Sequence, residues 1–296
     1  MTQSEQIAMV LTTLNQLGLS NISPRILSDE GHLILYLSPY PLITRVGEPL
    51  IQHSLESCQD QMVRELKVAR HLASRDIPVV SRASFVSPGP HFTGNTWMTL
   101  WDYAVPTPLP GLTAQKIMNL IWDLTKAMAD FDEPLPRLKG WHAALEASKS
   151  LCSTKIARQD HRIKELLMLI DITNDRMEAL PVVFPAHGDA HHGNLLQTTH
   201  GWLWNDFEDA SLMPRYWDLA SFLGNTALLE GLSHPTLKYA FHQVEDPSAL
   251  RFALTARGVM ATTTNLAFAL RGRGDLDFAK LQLARIHHYY KELTNM

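Results

Sequence analysis

HGDAHHGN, residues 187–194, places three histidines, one aspartate, two glycines and one asparagine in eight positions. Two chemistries draw on such a mixture. His187, His191 and His192 are imidazoles of the kind that ligate zinc. Asp189 and Asn194 are instead a carboxylate and an amide on one short loop, the pair that phosphoryl-transfer loops use. The sequence on either side decides between them.

Downstream, NLLQTTHGWLWNDFEDA (194–210) has strand character on both sides of TTHG (198–201). With that tetrapeptide as the turn, Gln197 faces Gly201 or Trp202, and counting back pairs Asn194 with Asn205. Asp206 then falls beside Asn194. Two oxygen donors on neighbouring strand ends suit Mg2+, a hard cation that takes one or two protein oxygens and leaves its other positions to water and phosphate. Asp189, five positions before Asn194, projects from the same loop. The order H-x-D-x-x-x-x-N, hairpin, aspartate is that of a base, a metal-holding asparagine and a metal-holding aspartate in kinases.

Upstream, residues 26–46 alternate short apolar runs with the turn signals SDEG and SPYP, which predicts a meander of antiparallel strands opening the chain. From Leu55 to Ser74 the period changes: Met62, Val63, Leu66, Ala69 and Ala73 share a helical face, with Glu65, Lys67 and Arg70 elsewhere. IPVVSRASFV (77–86) and TWMTLWDY (96–103) return to strand character. AVPTPLPG (104–111), with three prolines and a glycine, reads as a stiff connector and sets a boundary between residues 1–103 and 104–296. Beyond it, Ile117, Leu120, Ile121, Leu124 and Met128 mark an amphipathic helix. Residues 141–180 and 236–294 also read as helical, interrupted at NDR (174–176), EDP (245–247) and RGRGD (271–275). PVVF (181–184) and the hairpin are the strand exceptions in this half. The expected class is α+β, an N-terminal antiparallel sheet with one main helix and a mostly helical second lobe carrying the hairpin.

With 296 residues and 45% apolar composition, the chain can build two lobes with proper cores. Its net charge of −4 gives no field suited to nucleic acid or to an acidic membrane surface. No apolar run is long enough to span a bilayer, and MTQSEQIAMVLTTL (1–14) fits neither a signal nor a transit peptide, so a cytoplasmic protein is expected. Cys58 and Cys152 lie far apart without a CxxC and are expected to be buried, reduced thiols.

HGDAHHGNLL, WNDFEDA and YWDLASF together resemble the aminoglycoside phosphotransferase and choline kinase-like family, whose members have a protein-kinase-like two-lobed fold. The resemblance covers most of the chain. It implies Asp189 as catalytic base, Asn194 and Asp206 as Mg2+ ligands, and Asp218 as a support holding the catalytic loop from the following helix. It also asks for a cation on the third strand paired with a helical glutamate, and Arg45 and Glu65 stand in those places. Many relatives have lysine where Arg45 stands, and a planar guanidinium is not equivalent to a compact ammonium. LSDEGHLIL (27–35) holds one glycine where a glycine-rich phosphate loop is usual, and His192 stands where proline is common. The implied activity is transfer of the γ-phosphoryl group of ATP or GTP to a hydroxyl of a small molecule, with Mg2+. The nucleobase would meet the backbone near Trp101, Asp102 and Tyr103.

Competing readings attach to the same residues. A zinc hydrolase built on the three histidines would leave Asn194 and Asp206 idle. His187 then serves better as a hydrogen-bonding support of the loop. A kinase-like binding module without catalysis is the alternative motivated by Arg45 and the glycine-poor loop. Trp202 and Trp204 are expected to pack in the core, and Glu208 and Asp209 to be solvated carboxylates. Residues 231–296 hold eight Lys or Arg and five Asp or Glu, net +3, which disfavours a polycationic acceptor and leaves sugars, amino alcohols and hydroxylated metabolites open.

Overall fold

The computed structural model describes residues 2–29, 31–47 and 55–296. They form two compact units: Met1–Leu109 with Leu195–Glu208, and Pro110–Asn194 with Asp209–Met296. The SDEG turn includes Glu30, which lies outside the described residues.

The chain opens on a helix rather than on the sheet. α1 (Gln3–Gln16) begins with a capping box, in which Thr2 Oγ1 accepts from Glu5 N and Glu5 returns a carboxylate to Thr2 N. Its Val10 and Leu14 are fully buried. β1 (Ser23–Ser28), β2 (Leu33–Ser38) and β3 (Leu42–Val46) follow as the expected antiparallel meander. Along β2, Leu33, Leu35 and Leu37 alternate inward to join Val10, Leu14, Leu42, Met98 and Leu100 in one core. The opposite face of β2 and β3 carries Ile34, Ile43 and Arg45, and it is this face that builds the site.

α2 (Leu55–Ser74) has the expected bounds, but its buried stripe is Met62, Glu65, Leu66, Val68, Ala69 and Leu72. Glu65 therefore lies inside the apolar face, and Ala73 outside it. A charge tolerates that position because Arg45 meets it there. After β4 (His91–Phe92), β5 (Trp97–Asp102) completes a five-stranded sheet in the order β1-β2-β3-β5-β4. Residues 77–86 are not a regular strand. The segment is extended, but its bonds alternate sides: Val80 N donates to Trp204 O, whereas Ala83 N donates to Leu100 O, so no continuous ladder forms.

The second unit starts with α3 (Ala114–Ala129), which buries Ile117, Ile121, Leu124 and Met128 as expected. α4 (Lys139–Cys152), α5 (Lys155–Gln159) and α6 (His161–Glu178) follow. NDR does not break α6. Asn174 Oδ1 accepts from Trp141 Nε1 at 2.9 Å, so the polar side chain is satisfied within the helix packing. β6 (Phe184–Ala186) leads into the HGDAHHGN loop, and β7 (Leu195–Thr198) and β8 (Gly201–Trp204) form the hairpin that belongs to the first unit. The proline-rich connector is tied to that hairpin, with Thr107 N and Leu109 N donating to Gln197 O and Oε1.

β9 (Ser211–Met213) pairs antiparallel with β6, and α7 (Trp217–Glu230), α8 (Pro235–Gln243), α9 (Pro247–Ala269) and α10 (Leu276–Asn295) complete the chain. The breaks at EDP and RGRGD fall where expected. α9 is buried nearly all round, against α4, α6, α7 and α10. Cys152 is exposed and Cys58 half-buried, so neither is the fully buried thiol expected. No described helix is long and apolar enough to cross a membrane.

Candidate active site

In the second unit the loop is fixed by its backbone. Asp218, in the first turn of α7, accepts from His187 N through Oδ2 at 2.9 Å and from Gly188 N through Oδ1 at 3.1 Å. Burial pushes the Asp218 carboxyl up, against the charge of His187 and these backbone donors. Trp217 Nε1 donates to Gly188 O, so α7 holds both the N–H and the C=O of Gly188. Gly188 has φ +89°, and a Cβ there would sit 2.0 Å from the Asp209 carbonyl oxygen.

Beyond that grip, Asp189 O accepts from His191 N and from Asn194 Nδ2 at 2.8 and 2.9 Å. The amide of Asn194 is thereby oriented, with its nitrogen turned to Asp189. His187 is fully buried, and its Nδ1 accepts a long bond of 3.4 Å from Asp189 N. His191 Nδ1 accepts from Gly193 N, while its Nε2 lies 3.4 Å from Asp189 Oδ2. His192 packs edge-on to Phe222. The three histidines thus face different partners. Among the described residues no group of three or more His, Cys, Asp or Glu converges to hold a metal.

Asp189 has a partner that the sequence reading missed. Arg257 on α9 forms a short ion pair with its Oδ1. Burial raises the Asp189 carboxyl, but the Arg257 guanidinium and the imidazoles of His191 and His187 outweigh it and hold the group far below the usual carboxylate range. Asp209 is likewise paired, with Lys139 Nζ at 2.5 Å.

In the first unit, Arg45 Nη1 reaches Glu65 Oε1 at 2.6 Å, and Nη2 reaches Asp206 Oδ1 at 2.8 Å and Glu208 Oε2 at 2.6 Å. Glu208 is no solvated carboxylate: Oε2 also accepts from His32 Nε2 at 2.8 Å and from Gln61 Nε2 at 2.5 Å. Burial pushes Glu65 up, Arg45 opposes it, and the like charges of Asp206 and Glu208 add to the rise. Burial lowers His32, but its bond to Glu208 wins and raises it. Asp206 is left-handed, φ 62°, a region that Asp and Asn enter more readily than other residues. The hairpin register runs from Leu195↔Trp204 to Thr198↔Gly201, as counted from TTHG. Trp204 is fully buried and Trp202 half-buried.

A cavity of about 270 Å³ adjoins Arg45, Glu65 and Asp206. Ile34, Ile43, Val80 and Leu196 give it apolar walls, and Trp101 to Ala104 also line it. The Asp102 and Tyr103 N–H groups donate to Ser81 O and Pro41 O. The Asp102 carboxylate is committed to Ser84, and Tyr103 packs on Tyr36 with ring centroids 4.6 Å apart. Trp101 Nε1 donates to Thr99 Oγ1. Each unit taken by itself offers an oxygen donor of a kind Mg2+ accepts: the Asp206 carboxylate in the first and the Asn194 amide oxygen in the second.

The sequence profile of the phosphotransferase enzyme family matches residues 42–252. The chain belongs to that family. It is a phosphotransferase acting on hydroxyl groups, with the α+β, protein-kinase-like architecture. A choline/ethanolamine kinase family protein from Mesorhizobium loti superposes with a TM-score of 0.62 at 15% identity, over 100% of this chain and 96% of that one. Choline kinase LicA from Streptococcus pneumoniae gives 0.66 at 14% identity, over the full length of both. Amicoumacin kinase hAmiN, solved with AMP-PNP, Ca2+ and Ami, gives 0.65 at 15% identity, covering 99% and 96%. A sequence search of curated proteins finds no match. Among the described residues the histidines form no zinc cluster, and in this phosphotransferase family catalysis takes the place of the binding-only alternative.

Arg257, His32, Gln61 and Lys139 are neighbours of these groups that sequence reasoning does not name, while Glu208 is expected there only as a solvated carboxylate. Arg257 had a legible signal: with Arg251 it is one of two charges in a 23-residue apolar helix. His32 and Gln61 had none.

Proposed function

We propose that this enzyme transfers the γ-phosphoryl group of ATP or GTP to a hydroxyl of a small metabolite in the cytoplasm, with Mg2+ as cofactor. In this reading residues 1–103 bind the nucleotide, and residues 104–296 supply the catalytic loop and the acceptor site. The observation that carries it is the loop held by Asp218, in which Asp189 and Asn194 are mutually oriented.

Asp189 accepts the proton of the acceptor hydroxyl as its oxygen bonds to phosphorus and the nucleoside diphosphate leaves. Asn194 and Asp206 would hold Mg2+, which when bound neutralises charge on the phosphates. Arg45, fixed by Glu65, turns a guanidinium towards the phosphate end of the cavity. The apolar walls take the base, whose edge meets backbone near Trp101, Asp102 and Tyr103. Because the Asp102 and Tyr103 N–H groups are already used, that edge would meet carbonyl oxygens there. His187 and Asp218 act on the loop rather than on the substrate. Most of the rate enhancement then comes from positioning and charge complementarity.

The amicoumacin kinase, solved with a nucleotide analogue and a divalent cation, supports this reading by analogy. The test is nucleotide binding with and without Mg2+, followed by phosphoryl transfer across a panel of hydroxylated metabolites and antibiotics. Mg2+-dependent binding followed by turnover is expected. Bound nucleotide with no product from any acceptor, water included, would sink the proposal.

A further inference from the structure

We propose that the acceptor of this enzyme carries an anionic group, and that Arg257 recognises it in exchange for Asp189. The inference rests on the reading of Asp189 as the base. It starts from where α9 spends its charge. Fourteen of its 23 residues are buried, and Arg257 is the one charged residue in its central turns. A guanidinium only 13% exposed in such a helix needs a partner, and that partner is Asp189.

Apart from the Asn194 amide, whose Nδ2 lies 3.4 Å from Oδ2, the groups at the Asp189 carboxylate within this unit are cationic or can become so. Arg257 holds Oδ1, His191 Nε2 approaches Oδ2, and His187 lies beneath the Asp189 backbone. The nearby acids are engaged: Asp218 with two backbone N–H groups, and Asp209 with Lys139. An amine or quaternary ammonium acceptor would therefore find Asp189 already neutralised, with Arg257 repelling it. A neutral polyol could reach Asp189 Oδ1 only by leaving this largely buried guanidinium unpaired. A carboxylate or phosphate on the acceptor removes that obstacle. It takes the guanidinium fork, bidentately where geometry allows, and frees Asp189 Oδ1 for the hydroxyl. The guanidinium passes from Asp189 to the acceptor's anion, and Asp189 is left as a free carboxylate that the acceptor hydroxyl can donate to.

The test uses three six-carbon polyols that differ at one end: gluconate, sorbitol and glucamine. Binding to the full chain is measured by calorimetry without nucleotide, and phosphoryl transfer is measured separately. Gluconate should bind more tightly than sorbitol or glucamine, and Arg257→Gln should remove the difference. Asp189→Asn, which releases Arg257, should tighten gluconate about tenfold, the order expected for one charge-assisted hydrogen bond, while sorbitol is unmoved. An Arg257–Asp189 pair with a structural role alone would not produce that gain. Arg257→Lys keeps the charge without the fork and should retain part of the preference, so the test stands even if Arg257→Gln folds poorly. Gluconate binding no better than sorbitol in wild type and Asp189→Asn alike, or faster phosphorylation of glucamine, overturns the acceptor class and leaves the kinase reading intact. An Arg257-dependent gluconate site without phosphoryl transfer to any acceptor upholds the anion site and overturns the kinase reading instead.

Discussion

Arg45 Nη1 lies 2.6 Å from Glu65 Oε1, with both side chains nearly out of solvent, and the same guanidinium also reaches Asp206 and Glu208. One cation thus joins β3, α2 and the chain beyond β8. Arg45→Met leaves Glu65 as a buried carboxylate without its counter-ion. It should destabilise the protein by about 3–5 kcal/mol, the range for breaking a buried pair from one side. Urea unfolding checks this, and a loss under about 1 kcal/mol, the range of a surface ion pair, would show that the pair is not holding these elements. Arg45→Lys, with one point of charge for three carboxylates, should fall between the two.

Gly188 is required by conformation and by space together, with φ +89° and a carbonyl oxygen 2.0 Å from any Cβ. Gly188→Ala must move either the loop or the Asp209 backbone. The strain alone is about 1–3 kcal/mol. Loss of activity is expected to exceed what that stability loss explains, because Asp189 is the next residue. Activity per folded molecule, with the folded fraction set by thermal melting, is the measurement; unchanged specific activity would contradict it.

What the sequence made legible is what local rules govern. The meander, the bounds of α2 and the hairpin register follow from period and turn chemistry, and each is present. Sequence alone puts Glu65 on the solvent side because a carboxylate in an apolar stripe is unfavourable by itself, and only a partner from another element, Arg45, reverses that. Residues 77–86 looked like a strand because β propensity cannot say whether pairing stays on one side. NDR looked like a breaker because Asn174 has no visible partner until Trp141 is folded against it. At the site, residues within one loop were found from spacing. Arg257 meets Asp189, and His32 meets Glu208, each from an element far away in sequence.

Asp189 and Arg257 also make a pH prediction. A carboxyl whose folded pKa lies below its unfolded value contributes stability above the unfolded value, and loses it as pH falls through the folded one. For Asp189 the ordinary value is 3.8, and burial raises it while Arg257 and the histidines lower it further. Arg257→Gln removes the main lowering influence and leaves the burial. The acid limb of kcat/KM should then move to higher pH than in wild type, and this stabilising contribution at neutral pH should shrink. Superimposable pH profiles would separate Asp189 from the acid limb.

Asp206→Asn removes a negative charge from the cluster around Arg45 and an anionic candidate donor for Mg2+. Both losses weaken binding of the nucleotide with its metal, whereas binding of the nucleotide alone should be little changed or slightly tighter. Titrations with and without Mg2+ distinguish these effects. Equal Mg2+ dependence in variant and wild type would remove Asp206 from the metal site.

Asp189→Asn keeps the size of the side chain and can still hydrogen-bond to its neighbours, but it cannot take the hydroxyl proton. The backbone bonds that hold the loop, from Asp218 to His187 and Gly188 and from Asn194 to Asp189 O, do not involve the Asp189 carboxylate and should persist. Nucleotide binding is therefore expected to survive. kcat should fall by roughly two to four powers of ten, the usual range for a general base, because proton acceptance matters as the new bond forms. KM for an anionic acceptor should not rise, since Arg257 is released to meet it. The decisive measurement is kcat and KM on an acceptor found by screening, beside nucleotide affinity. A variant with near-wild-type kcat would take the base away from Asp189, and the positioning of the loop would have to serve some other group.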